Sequence, residues 1–370
     1  MFYKSISILI AVMLNAGINI DVKAEDSIKI GAIFAESGVA AQHNVDHIMG
    51  TRIAVRKINT QGGVLGKKLQ LLVFDNRSST VGSKVAADKA VNEKVTAVIG
   101  ASWSSHSLAM APVLQKAGIP MISPTSTNPK VTLIGNYIFR VCFIDSFQGK
   151  VMAQFAKQDL AAKTAVTMID LRSDYSMGLA QSFRHRFEQL KGRILEEIPY
   201  KQKQQTFTTL LNQVKKLNPD VLFIPGHDES GFIAKNAQEK GIAAILLGGD
   251  GWGVKSFLEK GGAELQKAYF STHWSKEVRT PVSESFTALY GKDATDKFAL
   301  AHDSVNLLAD AIHRAGVSDR AKIREAIAST KNFQGVTGEI TFDENGDPLK
   351  SSVIMQIANG KVNYLKTVEP

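Results

Sequence analysis

The sequence predicts an α/β protein in which parallel β-sheets, flanked by helices, form two lobes. Short apolar runs alternate with amphipathic helical segments over residues 27–122, and the same alternation begins again at residue 165. Strands that are buried on both faces of a parallel sheet have this appearance. The chain of 370 residues also exceeds the roughly 250–300 residues at which a single core stops growing. These observations together predict more than one domain of the α/β class.

The predicted elements fall into two series and a third block. In the first series, strands at 27–34, 69–74, 96–100 and 121–122 alternate with helices at about 48–58, 82–93 and 104–117. In the second, strands at 165–169, 194–198, 221–224 and 244–247 alternate with helices at 175–190, 210–217 and 229–240. The third block contains helices at 282–290, 298–315 and 320–329 and strands at 337–342 and 351–358. No low-complexity linker separates the two series, which predicts short crossovers, a hinge and a cleft.

Residues 1–24 have the organisation of a secretory signal peptide. Lys4 precedes an apolar core at 6–14, and small or modest residues at 22–24 form the expected cleavage position. A membrane anchor is the alternative, but a span needs about 20 apolar residues, and Asn15 and Asp21 interrupt this segment. We therefore expect export to the periplasm. Because no cysteine lies near the leader, we expect the protein not to be lipidated.

The composition excludes several classes of protein. A hydrophobic fraction of 44% is normal for a globular chain and argues against disorder. The single cysteine, Cys142, rules out an intramolecular disulfide and a multi-cysteine metal cluster, and we expect it to be a small buried hydrophobe. The net charge of +9 is scattered along the chain, so nucleic acid is not an expected partner.

Motifs favour binding over catalysis. The glycine-rich segment 248–253 does not fit a dinucleotide-binding pattern. Segment 100–104 resembles a nucleophile elbow, but Ser104 replaces its final glycine, so an exported hydrolase using Ser102 or Ser104 is only an alternative. His43 and His47 could share a helical face, but no third metal ligand is evident. We expect no catalytic residues, no metal and no cofactor.

Two hydroxyl-rich loops, 100–105 and 123–129, follow neighbouring predicted strands. Ligands of open α/β sheets bind at the carboxyl ends of strands, and free N–H groups at a helix start favour anions. Either loop alone could be an ordinary helix cap or turn. Together they predict an anion site suited to an α-carboxylate. Their candidate residues are Ser102, Ser104, Thr125 and Thr127.

The second series carries a candidate ammonium site. Asp250 follows the strand at 244–247 between glycines, where it could face a ligand ammonium or simply form a turn. Tyr175 could cover a ligand or pack at a helix start. Trp103 and Trp252 adjoin the two proposed sites, and we expect both to be pocket walls, the alternative being packing on the lobe surface.

Longer motifs resemble the leucine/isoleucine/valine-binding branch of the periplasmic solute-binding proteins, which feed ABC importers. The similarity extends over nearly the whole mature chain. The matching segments are 58–67 (Ile-Asn-Thr-Gln-Gly-Gly-Val-Leu-Gly-Lys), 75–79, 98–100, 119–124, 139–140, 175–178, 219–221 and 298–308. The resemblance implies a type I periplasmic binding protein fold, in which two Rossmann-like lobes are joined by three crossovers around a ligand cleft. It implies an N-terminal lobe of residues 25–145 and 274–349 and a C-terminal lobe of residues 146–273 and 350–370.

The same resemblance implies roles for the candidate residues. Ser104 and Thr127 would hold a ligand α-carboxylate, helped by backbone N–H groups near Ser102 and Thr125. On the other lobe, Asp250 would hold the α-ammonium and Tyr175 would close over the ligand. This chain has His43 and His227 where family members often have tyrosine, and Trp103 would touch the ligand side chain.

We therefore predict a monomeric, non-enzymatic receptor that binds a small amino acid, branched-chain or otherwise hydrophobic, by hinge closure. Its liganded form would dock on the membrane permease of an ABC importer. A second possibility keeps the fold but changes the solute to an amide, a urea-like compound or an aromatic acid, or gives the protein a sensing role.

Overall fold

The computed structural model describes residues 27–201, 204, 206–291 and 294–370, so the predicted leader and its cleavage position lie outside the described residues. Within these ranges, none of the helices combines the length and the apolar character needed to cross a bilayer.

The first lobe is built on a parallel sheet. Its strands are β1 (Ile28–Phe34), β2 (Leu69–Asp75), β3 (Ala97–Gly100), β4 (Met121–Ser123) and β5 (Ile138–Arg140). They lie in the order β2-β1-β3-β4-β5, and each neighbouring pair runs parallel. The central strands are the short apolar ones because helices cover both of their faces.

The second lobe is built on a mixed sheet. The remaining strands are β6 (Thr164–Asp170), β7 (Arg193–Tyr200), β8 (Val221–Ile224), β9 (Ile245–Gly248), β10 (Lys267–Thr272), β11 (Phe333–Gly335), β12 (Gly338–Ile340), β13 (Ser352–Ala358) and β14 (Lys361–Val368). The second sheet has the order β14-β13-β10-β9-β8-β6-β7, in which β13 and β14 run antiparallel to their neighbours. Strands β11 and β12 form a separate hairpin.

Helices cover both faces of each sheet. They are α1 (Ala41–Thr60), α2 (Thr80–Asn92), α3 (Ser104–Lys116), α4 (Asp145–Gln154), α5 (Asp174–Gln189), α6 (Thr208–Leu217), α7 (Ser230–Glu239), α8 (Lys255–Glu259), α9 (Pro281–Tyr290), α10 (Asp296–Ala315) and α11 (Arg320–Ala328). In the first lobe, α1, α10 and α11 pack on the face that carries Ile30 and Ile99, and α2 and α3 pack on the face that carries Ile33 and Val98. In the second lobe, α4 and α5 cover one face, and α6, α7 and α8 cover the other.

The chain passes between the lobes three times within the described residues. The first crossing follows β5 at residues 141–144, the second follows β10 at 273–280, and the third precedes β13 at 341–351. Cys142 lies buried in the first crossing, where burial raises the pKa of its thiol to about 12. The molecule thus has the predicted α/β fold of two lobes with mainly parallel sheets.

The predicted strands agree with the observed ones to within two residues at each end. The sequence did not predict β5, β10, β11, β14, α4 or α8. Strand β14 is an exposed antiparallel edge, so its sequence lacks the apolar run of a central strand.

Candidate functional site

The first hydroxyl loop begins where β3 ends. Gly100 adopts a φ of +133°, and a Cβ atom at this position would lie 2.3 Å from the carbonyl oxygen of Ile33 on β1. Only glycine fits such a close backbone approach. The chain then turns into α3 at Ser104, so the first N–H groups of this helix face the end of the sheet without intrahelical acceptors.

Two of the predicted hydroxyls hold the loops together. The Ser102 hydroxyl donates to Oδ1 of Asn44 on α1 at 2.8 Å. The Thr125 hydroxyl donates to the carbonyl oxygen of Ser102 at 3.1 Å, and Nε2 of His47 lies 2.9 Å from the same Thr125 oxygen. These contacts position the loops rather than offer free side-chain donors. The His47 imidazole is bonded to Thr125, whereas a serine hydrolase needs an imidazole hydrogen-bonded to its nucleophilic serine.

The other two hydroxyls are available to a ligand. Oγ of Ser104 accepts the backbone N–H of Asn128 at 3.1 Å, which leaves its proton to donate. Oγ1 of Thr127 is completely buried and has no hydrogen-bond partner among the described residues. Together with the start of α3, these hydroxyls form the anion pole of the site.

A buried arginine holds the second hydroxyl loop in place. The Arg140 guanidinium donates to the carbonyl oxygens of Ser126 at 2.5 Å and Asn128 at 3.0 Å, and its Nε lies 2.6 Å from Asp347. Its planar fork suits several acceptors at once. Arg140 therefore ties the loop at 123–129 to the third crossing between the lobes.

Asp250 forms the acidic pole on the second lobe. Its Oδ1 accepts Nε2–H of Gln148 at 2.9 Å, and its Oδ2 lies 3.1 Å from Nε2 of His273 and 3.6 Å from Nζ of Lys297. Burial opposes ionisation, but the Lys297 charge and the His273 hydrogen bond outweigh it and hold the pKa of Asp250 far below its usual value. Asp250 is thus an ionised carboxylate in a buried site.

The charges around Asp250 leave one negative charge in excess. Lys297 is completely buried, and its Nζ also lies 3.0 Å from Oδ2 of Asp296. His273 is neutral, because burial lowers its pKa more than Asp250 raises it. Two carboxylates therefore share one ammonium. A buried excess charge is costly, so this pole attracts a further cationic group.

A second carboxyl group lies beside the two poles. Asp145 begins α4, and its backbone N–H donates to the carbonyl oxygen of Thr127 at 2.8 Å. Neither of its carboxyl oxygens has a hydrogen-bond partner within the ranges that the structure describes. Burial raises the pKa of Asp145 well above its usual value, the adjacent Thr127 hydroxyl opposes this rise, and nearby Asp250 adds to it.

A column of rings crosses the cleft beside the acidic pole. From the second lobe, Tyr175 stacks on His227, with ring centroids 5.0 Å apart. His227 contacts Trp103 of the first lobe at 4.0 Å, and Trp103 stacks on His106 at 5.3 Å. His43 approaches this column from α1, 5.7 Å from Trp103 and 5.4 Å from His227. We call these five side chains the ring column.

Hydrogen bonds between the lobes accompany the ring column. Nδ2–H of Asn128 donates to the carbonyl oxygen of Asp174 at 2.7 Å, and the backbone N–H of Asp174 donates to Oγ of Ser105 at 3.0 Å. These bonds join the first lobe to the start of α5. The structure is therefore that of the closed cleft.

Tyr175 also touches the loop that carries Asp250. Its hydroxyl accepts the backbone N–H of Gly251 at 3.2 Å, and a Cβ atom on Gly249 would lie 2.4 Å from the Tyr175 oxygen. The tyrosine thus packs against the glycines that the sequence places beside Asp250.

Trp252 corrects one expectation. Its ring packs on Phe257, with centroids 4.6 Å apart, and its indole N–H donates to the carbonyl oxygen of Ile224 at 3.2 Å. It belongs to the core of the second lobe. Large aromatic rings gain most from such full burial, and Trp252 is not a wall of the site.

The structure brings together, between the lobes, the other nine residues expected from the sequence: His43, Ser102, Trp103, Ser104, Thr125, Thr127, Tyr175, His227 and Asp250. Sequence reasoning missed Gln148, His273, Lys297 and Asp145. The spacing of Asp145 and Gln148, three residues apart at the start of a helix, was the available signal for two of them. For Lys297 there was no such signal.

The histidine pair that the sequence offered as a possible metal site lies within the cleft. His43 and His47 stack with ring centroids 6.2 Å apart, and within the described ranges no group of three ligating side chains is arranged to hold a metal.

Comparison with known proteins agrees with this architecture. The family model described as periplasmic binding protein matches residues 27–361. The chain belongs to the periplasmic binding protein family. This is a family of non-enzymatic solute-binding proteins, which removes the hydrolase alternative.

Several relatives align over nearly their full length. The leucine-, isoleucine-, valine-, threonine-, and alanine-binding protein of Pseudomonas aeruginosa is 28% identical, and the alignment covers 93% of each chain. The leucine binding protein LivK of Thermotoga maritima is 36% identical with a TM-score of 0.89, covering 93% of this chain and 99% of that one. LivJ of Streptococcus pneumoniae, solved with isoleucine, is 33% identical with a TM-score of 0.87, covering 93% and 100%.

Proposed function

We propose that this protein is the periplasmic substrate-binding protein of an ABC importer and that it captures an amino acid by closure of the two lobes. The leader at 1–24 would export it, and the liganded closed form would dock on the membrane permease. The relatives that bind leucine, isoleucine or valine support this role, as does the family to which the chain belongs.

The observation that carries the proposal is the pair of opposite poles on the two lobes. Ser104 and Thr127 offer hydroxyl donors on the first lobe, and Asp250 lies in a cluster with one excess negative charge on the second. An α-amino acid carries an anion and a cation on adjacent carbons. It would bridge both poles at once, whereas a solute with a single charge would satisfy one pole only. Closure then follows from the ligand's higher affinity for the closed form.

A thermal-shift screen tests this function. The purified mature chain would be scanned with each of the common L-amino acids, with their D-enantiomers, and with benzoate and acetamide as solutes that lack one or both charges. A ligand at about 100 times its Kd adds about 2.7 kcal/mol of stability. We expect one or more L-amino acids to raise Tm, and calorimetry to give saturable binding. Stabilisation by benzoate or acetamide alone would contradict the proposal.

The side chain of the ligand is a separate question. The sequence resemblance predicts a branched-chain or otherwise hydrophobic amino acid, and the names of the relatives point the same way. The poles described above hold the part that all amino acids share. Specificity would therefore come from the ring column.

A further inference from the structure

The members of the ring column pack on one another. His227 stacks on Tyr175 with an interplanar angle of 23° and contacts Trp103 at a tilt of 41°, and His106 stacks on Trp103 at 22°. Tyr175 in turn packs against the Gly249 loop. An aromatic or aliphatic ligand side chain would need a free ring face to cover, and His227 and Trp103 each have neighbours on their rings. The polar atoms that these rings can offer a ligand lie on their edges.

Three ring edges carry nitrogen atoms without partners. Nε1 of Trp103, Nδ1 of His43 and Nδ1 of His227 are buried and have no hydrogen-bond partner in the described part of the chain. The indole nitrogen can only donate, and a neutral imidazole has one donor and one acceptor nitrogen. The nitrogens belong to side chains from both lobes that approach within 5.7 Å of each other by ring centroids.

An aliphatic ligand would leave these nitrogens without partners in the closed cleft. A buried donor that loses its water and finds no acceptor destabilises the complex. The first lobe contains a contrast to this arrangement, since the hydroxyls of Ser102 and Thr125 are bonded to Asn44 and to the Ser102 carbonyl. The three ring nitrogens thus differ from the Ser102 and Thr125 hydroxyls, because they have no partner among the described residues.

We propose that the cognate ligand is an amino acid whose side chain ends in a carboxamide, rather than a branched aliphatic one. This proposal rests on the proposed amino-acid-binding function and deepens it. A carboxamide supplies an oxygen acceptor for the Trp103 N–H and both acceptor and donor groups for the two imidazoles. A cationic side chain has no acceptor for the indole N–H. An anionic side chain would add a charge beside a cluster that already holds one negative charge in excess.

Burial supports the neutral character of the side chain. It is the largest cause that lowers the pKa of His227 to about 3 and the pKa of His43 well below its usual value, so both rings are uncharged at neutral pH. Uncharged imidazoles suit a neutral amide. They offer no counter-charge to a second carboxylate on the ligand.

The test compares isosteric ligands. L-asparagine and L-leucine have side chains of the same branched shape, so their affinities report hydrogen bonding rather than size. Calorimetry on the mature chain with L-asparagine, L-glutamine and L-leucine is expected to give at least one amide bound about tenfold or more tightly than L-leucine, because a polar site rejects an analogue that leaves its groups unpaired. Tighter binding of L-leucine than of both amides overturns the proposal and leaves the proposed function intact. If the wild-type chain binds no amino acid, the proposed function itself fails.

Two tryptophan variants test whether the preference for an amide side chain depends on the Trp103 N–H. Trp103→Phe keeps a ring and removes the N–H, and it is expected to weaken amide binding about three- to tenfold without weakening L-leucine. Trp252→Phe is the matched control, because its N–H is bonded to Ile224 inside the second lobe, and it should leave the ratio of amide to leucine affinity unchanged. Loss of amide binding in Trp252→Phe but not in Trp103→Phe would contradict the assignment. The Tm of each ligand-free variant shows whether it folds. If Trp103→Phe does not fold, His227→Phe is a second variant that removes an unpartnered ring nitrogen from the ring column.

Discussion

At the scale of single residues, the acidic pole illustrates how a buried charge becomes a binding site. Asp250 is held ionised by Lys297 and His273, yet Lys297 is shared with Asp296. The cluster thus keeps Asp250 charged without neutralising it completely. A second neutralising lysine would remove the reason for a ligand ammonium to enter, and no lysine at all would raise the pKa of the carboxyl by burial.

We expect Asp250→Asn to lose most of its affinity for the amino-acid ligand. The substitution removes the charge but keeps the size, and truncating one partner of a buried charge pair costs about 2–5 kcal/mol of binding free energy. Calorimetry would measure the change. Asp220→Asn is the control, since Asp220 belongs to the same lobe but accepts the backbone N–H groups of Lys163 and Thr164 at the amino-terminal end of β8, away from the ligand edge of the sheet. Equal affinities for wild type and Asp250→Asn would exclude the ammonium role.

Some residues of the two poles could be predicted from the sequence because they follow predicted strands. Asp250 and the hydroxyls of Ser104 and Thr127 directly follow strands, and strand ends mark the ligand edge of an α/β sheet. Gln148 could not be paired with Asp250 from the sequence, because 102 residues separate them. The ring column could not be derived either, since contact between Trp103 and His227 depends on how closely the lobes approach.

At the scale of elements, the loop between β9 and α8 joins the acidic pole to the ring column. Gly249 leaves room for the Tyr175 hydroxyl, which also accepts the N–H of Gly251. Tyr175 in turn stacks on His227. The position of this loop therefore determines where the Asp250 carboxylate lies and where Tyr175, at one end of the ring column, lies.

Gly249→Ala should weaken ligand binding by displacing Tyr175. The added Cβ atom would lie 2.4 Å from the Tyr175 oxygen, and overpacking of this kind also costs about 1–3 kcal/mol of stability. Urea unfolding and calorimetry would measure the two effects. Gly253→Ala is the control in the same loop, because its Cβ would lie 3.3 Å or more from any neighbour. Similar affinities in the two variants would show that Tyr175 has no part in closure.

Several elements were missed in the sequence for identifiable physical reasons. Strand β14 is an antiparallel edge with exposed side chains, and β5 has only three residues. Helix α4 carries Gly149, which lowers helix propensity, but a Cβ there would lie 2.5 Å from Ser182 on α5. Close packing on α5 therefore requires the residue that makes the helix difficult to predict. Apart from β10, the central strands were predictable because burial on both faces leaves a continuous apolar run.

At the scale of the whole molecule, closure buries a set of histidines contributed by both lobes. His43, His47 and His106 come from the first lobe, and His227 and His273 lie on the second lobe and at its crossing. Burial is the largest cause of their lowered pKa values, which fall to about 3 for His47 and His227 and about 4 for His106. The closed cleft therefore requires neutral imidazoles.

The charged groups that face these rings come from several elements. His43 faces His47 and Lys297, which lower its pKa, and Asp250 and Asp296, which raise it. His227 faces His43 and His106, which lower its pKa, and Asp228 and Asp250, which raise it. Burial is the largest cause in both cases, and the net effect lowers both pKa values in spite of the carboxylates. Separation of the lobes would take apart the contact of His227 with Trp103 and His43 and return these rings to water.

We therefore expect affinity for the ligand to fall as the pH falls below about 6.5, the usual pKa of a solvated histidine. The closed form binds fewer protons than the open form, so acid favours opening, and each histidine that regains water contributes about a tenfold loss between pH 7.5 and 5.5. Calorimetry across this range would measure the slope. The double variant His43→Gln/His227→Gln should flatten it, whereas His185→Gln, at an exposed position on α5, should not. A wild-type affinity that is constant from pH 7.5 to 5.5 would show that these rings stay buried when the lobes open.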